Sequence, residues 1–253
     1  MNTLSRSIAE LSPDLETSSD LYATRFQGQS GQFLLKRQNQ ILYNLLTKYP
    51  TGSLRILDVG GGHAQLTRTM LDLGHQVCVH GSQPDCRQRL EKLNLLNGKV
   101  SFVISPFSDL ATELPKSVGQ FDVVTAIRLM AHIEDWKGFL GQLATLARRE
   151  IIIDFASLYS INLLSTALYP IKKFVEKTTR PFYTQKLSQV VNQFNELGFT
   201  VKAVHKQFAL PLALHRALDN SSTSNKLENI CCALGLTSAL GSPVILSAIR
   251  NDK

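Results

Sequence analysis

Apolar residues along this chain fall into two alternating rhythms. Within residues 30–49, Phe33, Leu34, Ile41, Leu42, Leu45 and Leu46 recur at the spacing of one helix face, and Pro50, Thr51 and Gly52 close the segment. A helix is therefore expected ahead of the first strand. Five short apolar runs follow: LRILDV at 54–59, QVCVH at 76–80, VSFVI at 100–104, FDVVTAI at 121–127 and REIIIDF at 149–155. Helix-length intervals such as 66–73, 85–96 and 136–147 separate them. Strands alternating with helices predict a parallel, doubly wound α/β sheet. Beyond residue 155 the rhythm changes to a polar and basic insertion at 156–184, then a helix in TQKLSQVVNQFNELGF ended by Gly198, a strand in TVKAVHKQF and a last strand in PVILSAI.

With 253 residues the chain suits a single domain, and its 43% apolar and 19% charged content is that of a folded protein. Charge alters the picture more. The net charge is +7, and residues 170–216 alone carry Lys172, Lys173, Lys177, Arg180, Lys186, Lys202, Lys206 and Arg216 against Glu176 and Glu196. Such a local surplus points to an anionic substrate, a phosphate or an acidic lipid surface rather than to nucleic acid. Acids at Glu10, Asp14, Glu16 and Asp20, without an apolar run, predict no secretory leader and a cytoplasmic chain. Uncharged stretches at 155–171 and 229–249 approach the ~20 residues of a membrane span, but Ser157, Ser160, Asn162 and Pro170 break the first, and Gly235, Gly241 and Pro243 the second. Cys78, Cys86, Cys231 and Cys232 form no CxxC pair and have no ligand-spaced histidines, so reduced, mostly buried thiols and no metal are expected.

The chemistry concentrates in LDVGGGHAQ at 57–65, where the first strand turns into a helix. Glycines there let the backbone pass close to a ligand, and a helix N-terminus offers unpaired N–H groups to an anion. A dinucleotide loop wants a third small residue where this chain has Gln65, which argues against pyrophosphate. With an acid before GxG, here Asp58, Gly60 and Gly62, the segment resembles the first motif of class I S-adenosylmethionine-dependent methyltransferases. FDVVTAIRLMAHIEDW at 121–136 is similar to the fourth-strand motif of the small-molecule branch, which includes enzymes of the quinone pathways, and LYATRF at 21–26 to the segment such enzymes fold over the cofactor. The resemblance spans about residues 22–249 and implies a seven-stranded, mostly parallel Rossmann-like sheet with an antiparallel last strand. In that frame 1–50 is a helical segment covering the cofactor, 51–155 the binding core, 156–184 a lid, and 185–253 the helix and hairpin that complete the sheet.

The resemblance implies S-adenosylmethionine as cofactor. Its implied contacts are Asp58, Gly60, Gly61, Gly62 and His63 on the first loop, Gly81 and Ser82 after the second strand, Phe107 after the third, Ile127 and Arg128 at the fourth, and Tyr22 and Arg25 from the N-terminal segment. Two departures stand out. Gly81 occupies the position of the family's ribose-binding acid, and Ser105, Pro106 and Phe107 replace the adenine-side acid. Ser82, Gln83 and Asp85 are within sequence reach of the ribose, although Asp85 is better read as the cap of the next helix. His132 stands where quinone-pathway members place a histidine; it either takes a proton from the acceptor or fixes its loop through the backbone. Arg128 either meets a carboxylate or is a solvated surface cation.

The expected function is methyl transfer to a small, lipophilic or anionic acceptor; Tyr159, Tyr169, Phe174, Phe182 and Tyr183 either pack under the lid or touch the acceptor, and Lys172, Lys173 and Lys177 either meet an anionic membrane surface or are solvated on a lid that packs on its own domain. The alternative is a non-catalytic relative of the fold that binds a nucleotide or partner. No NPPY-type tetrad follows the fourth strand, so nucleic-acid modification is not expected.

Overall fold

The structure is a computed structural model that describes residues 26–49, 52–96, 98–160 and 182–251. Helix α1 (Gly28–Leu46) leads into alternating strands and helices: β1 (Arg55–Val59), α2 (Thr67–Asp72), β2 (Gln76–Gly81), α3 (Pro84–Lys92), β3 (Val100–Ile104), α4 (Leu110–Val118), β4 (Phe121–Ala126), α5 (Trp136–Leu146) and β5 (Ala147–Phe155). Then come α6 (Leu187–Glu196), β6 (Phe199–Phe208), α7 (Leu212–Leu218), α8 (Ser221–Ala233), α9 (Leu236–Leu240) and β7 (Ser242–Arg250). All seven strands form one sheet in the order β3-β2-β1-β4-β5-β7-β6. The first five are parallel, and β7 runs antiparallel to both β5 and β6. The expected fold class is the observed one.

Strand side chains alternate between two buried faces, which explains why these runs read as continuously apolar. Leu57, Val59, Ile151, Ile153 and Phe155 pack with α4, α5 and α6 through Leu110, Leu140, Leu143 and Phe194. Ile56, Val123, Ile152 and Ile245 pack on the other side with Leu42 and Leu46 of α1, Met70 of α2 and Leu90 of α3. Gln38 interrupts the buried stripe of α1 and is itself buried.

The structure amends several expectations. Asp85 does not cap α3: Gln83 holds the cap position and Pro84 the first turn, where Pro removes no needed donor, so Asp85 lies inside that turn. Stretch 229–249 is the end of α8, all of α9 and β7 but for its last residue, and among the described residues no helix is long and apolar enough to cross a membrane. Three helices between the last two strands were not anticipated. The four cysteines form no disulfide, and Cys232 alone of them is exposed.

One buried carboxylate ties α1 to the sheet. Glu150, at the start of β5, accepts from Lys48 Nζ at 2.7 Å and from the Tyr49 hydroxyl at 2.7 Å, and the Ser247 hydroxyl of β7 donates to it as well. Burial, reinforced by the charge of Glu150, holds the Tyr49 phenol well above its ordinary range. Glu150→Ala leaves these donors without an acceptor and is expected to lower stability by about 3 kcal/mol. Chemical denaturation measures this, and a midpoint equal to wild type would refute it.

Candidate active site

Strand order reverses direction between β1 and β4, and the carboxyl ends of those strands open a crevice of the kind in which doubly wound sheets bind ligands. Asp58, Gly60, Gly61, His63, Gln65, Ile127, Arg128 and Leu129 line that cleft. Asp58 is buried near the end of β1, and Thr125 of the neighbouring β4 donates its hydroxyl to Oδ1 at 2.9 Å. Desolvation pushes the Asp58 carboxyl up to about 6, while Thr125 and the charge of Arg128 work against the shift.

Arg128 opens the turn after β4 with a left-handed backbone, φ 65°, rare for a residue with a side chain. Its N–H donates at 2.5 Å to Oδ1 of Asp154, buried at the end of β5, and Gln38 Nε2 approaches Oδ2 at 3.5 Å. Burial also raises Asp154 to about 6, opposed by the Arg128 N–H and guanidinium. The guanidinium stacks over the Phe26 ring at 4.7 Å, so Arg128 is not a solvated surface cation. Its Nη1 and the Oε1 of Gln65 are both buried without a hydrogen-bond partner among the described residues. Unmet buried polar atoms carry a penalty of about 1–3 kcal/mol each. A ligand that satisfied them would relieve it.

Each glycine of the loop serves a different constraint. At Gly60, φ is +70° and a Cβ would lie 2.7 Å from Leu129 Cδ1. A Gly60→Val change would thus strain the fold itself, beyond the simple filling of ligand space that the sequence suggests. A Cβ on Gly61 would sit 2.2 Å from Asp58 Oδ2, and one on Gly62 would sit 2.3 Å from Cys86 Sγ of α3. Gly61 keeps the carboxylate accessible; Gly62 lets α3 approach.

The remaining expected positions divide. His63 and Ile127 lie in the cleft wall beside Asp58 and Arg128. Phe107 does not: it is buried in the core, edge-on to His80 at 4.9 Å and near Phe139. Gly81 ends β2, and a Cβ there would meet Cys86 Cβ at 3.2 Å and Phe102 Cζ at 3.3 Å, so the position has no room for the family's acid without movement. Ser82 follows it, half-buried. Beside Gly81, His80 is buried with Nε2 2.9 Å from the Ser105 carbonyl oxygen. His132 ends a short 3-10 turn, its ring 6.0 Å from that of Phe182, while the Tyr183 N–H donates to Ala131 O at 2.8 Å. It stands beside the returning insertion, not among the residues lining the cleft. Tyr22, Arg25, Tyr169, Phe174, Lys172, Lys173 and Lys177 lie outside the described residues.

Sequence reasoning missed Asp154, Gln38 and Thr125. The signal for the first was present, since an acid inside the run IIIDF is costly to bury without a purpose. The donor set fits S-adenosylmethionine in its amino-acid portion: Asp58 and Gln65 Oε1 are acceptors for an ammonium, and Arg128 Nη1 is a donor for a carboxylate. The fit is weaker on the ribose side because of Gly81.

Fold and site together define a class I S-adenosylmethionine-dependent methyltransferase. The methyltransferase domain family matches residues 3–204, and the chain belongs to it. Among curated relatives it is 30% identical over 103 residues to the ubiquinone biosynthesis O-methyltransferase of Xanthomonas euvesicatoria pv. vesicatoria, a match covering 40% of this chain and 42% of that protein. It is 34% identical over 99 residues to the Bordetella bronchiseptica protein of the same name, covering 37% of this chain and 38% of the relative. The chain thus spans about two fifths of the length of the curated relatives it matches. Among solved structures, the magnesium protoporphyrin IX methyltransferase of Synechocystis PCC 6803 with bound S-adenosylhomocysteine superposes with a TM-score of 0.59 at 16% identity, covering 88% of this chain and 85% of that one. This last likeness is one of fold.

Both buried acids titrate above their unfolded value of 3.8, so the folded chain favours their protonated forms. Their contribution to stability is complete below about pH 4 and is lost as pH rises through about 6, by about 3 kcal/mol for each group. Asp58→Asn and Asp154→Asn are each expected to flatten the decline in unfolding free energy between about pH 4 and pH 7. A slope unchanged in both variants would refute the assignment. Comparison with wild type is essential because Glu228, held low by its hydrogen bonds from His215, Ala209 and Leu210, contributes with the opposite sign.

Proposed function

We propose that this protein transfers the methyl group of S-adenosylmethionine to a small, lipophilic or anionic acceptor. The observation that carries this reading is the meeting, in one cleft, of the buried Asp58 carboxylate and the unsatisfied Gln65 Oε1 with the unsatisfied Arg128 Nη1. That set is complementary to an α-amino acid zwitterion and ill suited to a phosphate. The two curated relatives are named for O-methylation in ubiquinone biosynthesis, and an acceptor hydroxyl on a lipophilic ring is the class we carry over.

The cofactor brings an already activated methyl on a sulfonium, so the protein has to hold donor and acceptor in line and exclude water. In this reading Asp58 orients the ammonium, Arg128 the carboxylate, and the glycine loop lets the ligand lie against the backbone. Ser82, the His80–Gly81 backbone or water meets the ribose in place of the absent acid. His132, beside the returning insertion, is assigned to receive the acceptor proton when a hydroxyl is methylated. Most of the lid expected at 156–184, residues 161–181, lies outside the described residues. The packed Gly81 position favours one rival, a non-catalytic relative of the fold that binds a nucleotide or partner.

An ammonium beside Asp58 favours its charged form, so cofactor binding is expected to expel a proton and to tighten as pH rises through about 6. Calorimetry in buffers of different ionisation enthalpy reads that proton, and Asp58→Asn should abolish it and weaken binding about 10- to 150-fold. Wild-type protein that binds no S-adenosylmethionine would overturn the proposal. Incubation of cell extracts with isotopically methyl-labelled cofactor, followed by mass spectrometry, should yield a labelled small molecule; cofactor binding with no labelled product favours the non-catalytic reading.

A further inference from the structure

Because β7 runs antiparallel to both neighbours, β6 points the same way as β5. Its end at Phe208 therefore lies on the edge of the sheet that carries the cleft, and the connection 209–241 rises from that edge. This connection is well anchored from beneath. Ser224, Glu228 and Cys231 form the buried face of α8, which packs on α1 and on its neighbours α7 and α9. Glu228 accepts from the N–H groups of Ala209 at 2.9 Å and Leu210 at 3.0 Å and pairs with His215 Nε2 at 2.9 Å.

Its outer side carries six exposed aliphatics among exposed polar residues such as Ser222, Thr223, Asn225 and Asn229. Each of the three packed helices presents an aliphatic pair four residues apart, the spacing of one helix face: Leu214 and Leu218, Ile230 and Leu234, Leu236 and Leu240. Ile230 is 56% and Leu234 70% exposed, and the other four lie between 36% and 40%. Lys226 continues the Ile230–Leu234 stripe one turn earlier.

Composition and charge select the occupant. No aromatic residue occurs within 209–241, whereas protein partners are usually anchored by Trp, Tyr and Arg and only rarely by Leu. Exposed Arg216 and Lys226 accompany the aliphatics, and the half-buried Lys206 donates its ammonium to the Ala239 carbonyl oxygen at 2.7 Å. Of the two acids in 201–241, Glu228 is buried beneath the helices, and Asp219 accepts from the Ser30 N–H at 3.1 Å. A second copy across a two-fold axis would set these cations against themselves. An anionic bilayer meets both features, taking aliphatic side chains into its interface and amines at its phosphates.

We propose that the helices between β6 and β7 are a docking face for an anionic membrane, turning the cleft-bearing edge of the sheet toward the lipid. Docking stands independently of the methyl-transfer reading; its use, access for a lipophilic acceptor, rests on that reading. The test is sedimentation of the full chain with phosphatidylcholine–phosphatidylglycerol vesicles. Wild type should bind at low salt and less at high salt. Ile230→Glu combined with Leu234→Glu should lower partitioning by about tenfold or more, and Lys226→Ala by about fivefold. These exposed changes should leave calorimetric S-adenosylmethionine binding as in wild type. Absence of vesicle binding by wild type, or equal binding by the double variant, would overturn the proposal. So would a dimer in sedimentation velocity that the double variant abolishes, since the face would then belong to a second copy. Vesicle binding by a protein that binds no cofactor would leave docking standing and remove the methyl-transfer reading alone.

Discussion

The Asp154 carboxylate joins three parts of the chain beside the cleft. It caps the end of β5, receives the N–H of Arg128 from the turn after β4, and meets Gln38 from α1. The Arg128 backbone is left-handed there, a conformation that costs about 1–2 kcal/mol for a residue with a side chain and persists only when its surroundings fix it. Once the turn is fixed, the next residue, Leu129, is driven against Gly60, and the glycine loop must pass where a Cβ cannot. The same turn places the Arg128 guanidinium where its charge acts on both Asp58 and Asp154. Geometry at the first strand is thus set from the fifth.

Comparison of the buried carboxylates separates structural from ligand-directed acids. Glu228 has three donors around it and is held below its ordinary range despite burial. Glu150 likewise has Lys48, Tyr49 and Ser247. Asp58 has one side-chain donor, Thr125, and desolvation wins, raising its proton affinity. A carboxylate kept dry and short of partners reduces the stability of the empty protein. The large two-faced core supplies the surplus that tolerates it, and a cation arriving in the cleft recovers part of the loss.

Legibility in the sequence followed the length scale of each interaction. Strand runs such as LRILDV and REIIIDF were readable because burial on both faces leaves an unbroken apolar signature. Asp58, Gly60 and Gly62 were readable because a strand, an acid and a tight turn are adjacent in sequence. Asp154 was not, for its partners stand 26 and 116 residues away and only the folded sheet aligns them. The surroundings of Phe107 were hidden for the same reason, since only the fold brings His80 and Phe139 against it. Helices α7 and α9, of seven and five residues, are too short to display a period, and their aliphatic pairs resemble ordinary loop residues until exposure is known.

Direction, finally, explains why the variable parts of the molecule gather where they do. The amino edge of the sheet is closed by compact ties, notably Glu150 with the end of α1. At the opposite edge Asp219 meets the start of α1, β5 runs out into residues 156–184, and β6 runs out into 209–241. In a parallel sheet the carboxyl ends all face one way, so connections of any length added there surround the cleft without crossing the core. The exposed side chains of 209–241 are unconstrained by the packing that fixes Asp58 and Arg128. Selection of the acceptor and of the surface on which it is met can therefore change independently of the cofactor-facing residues.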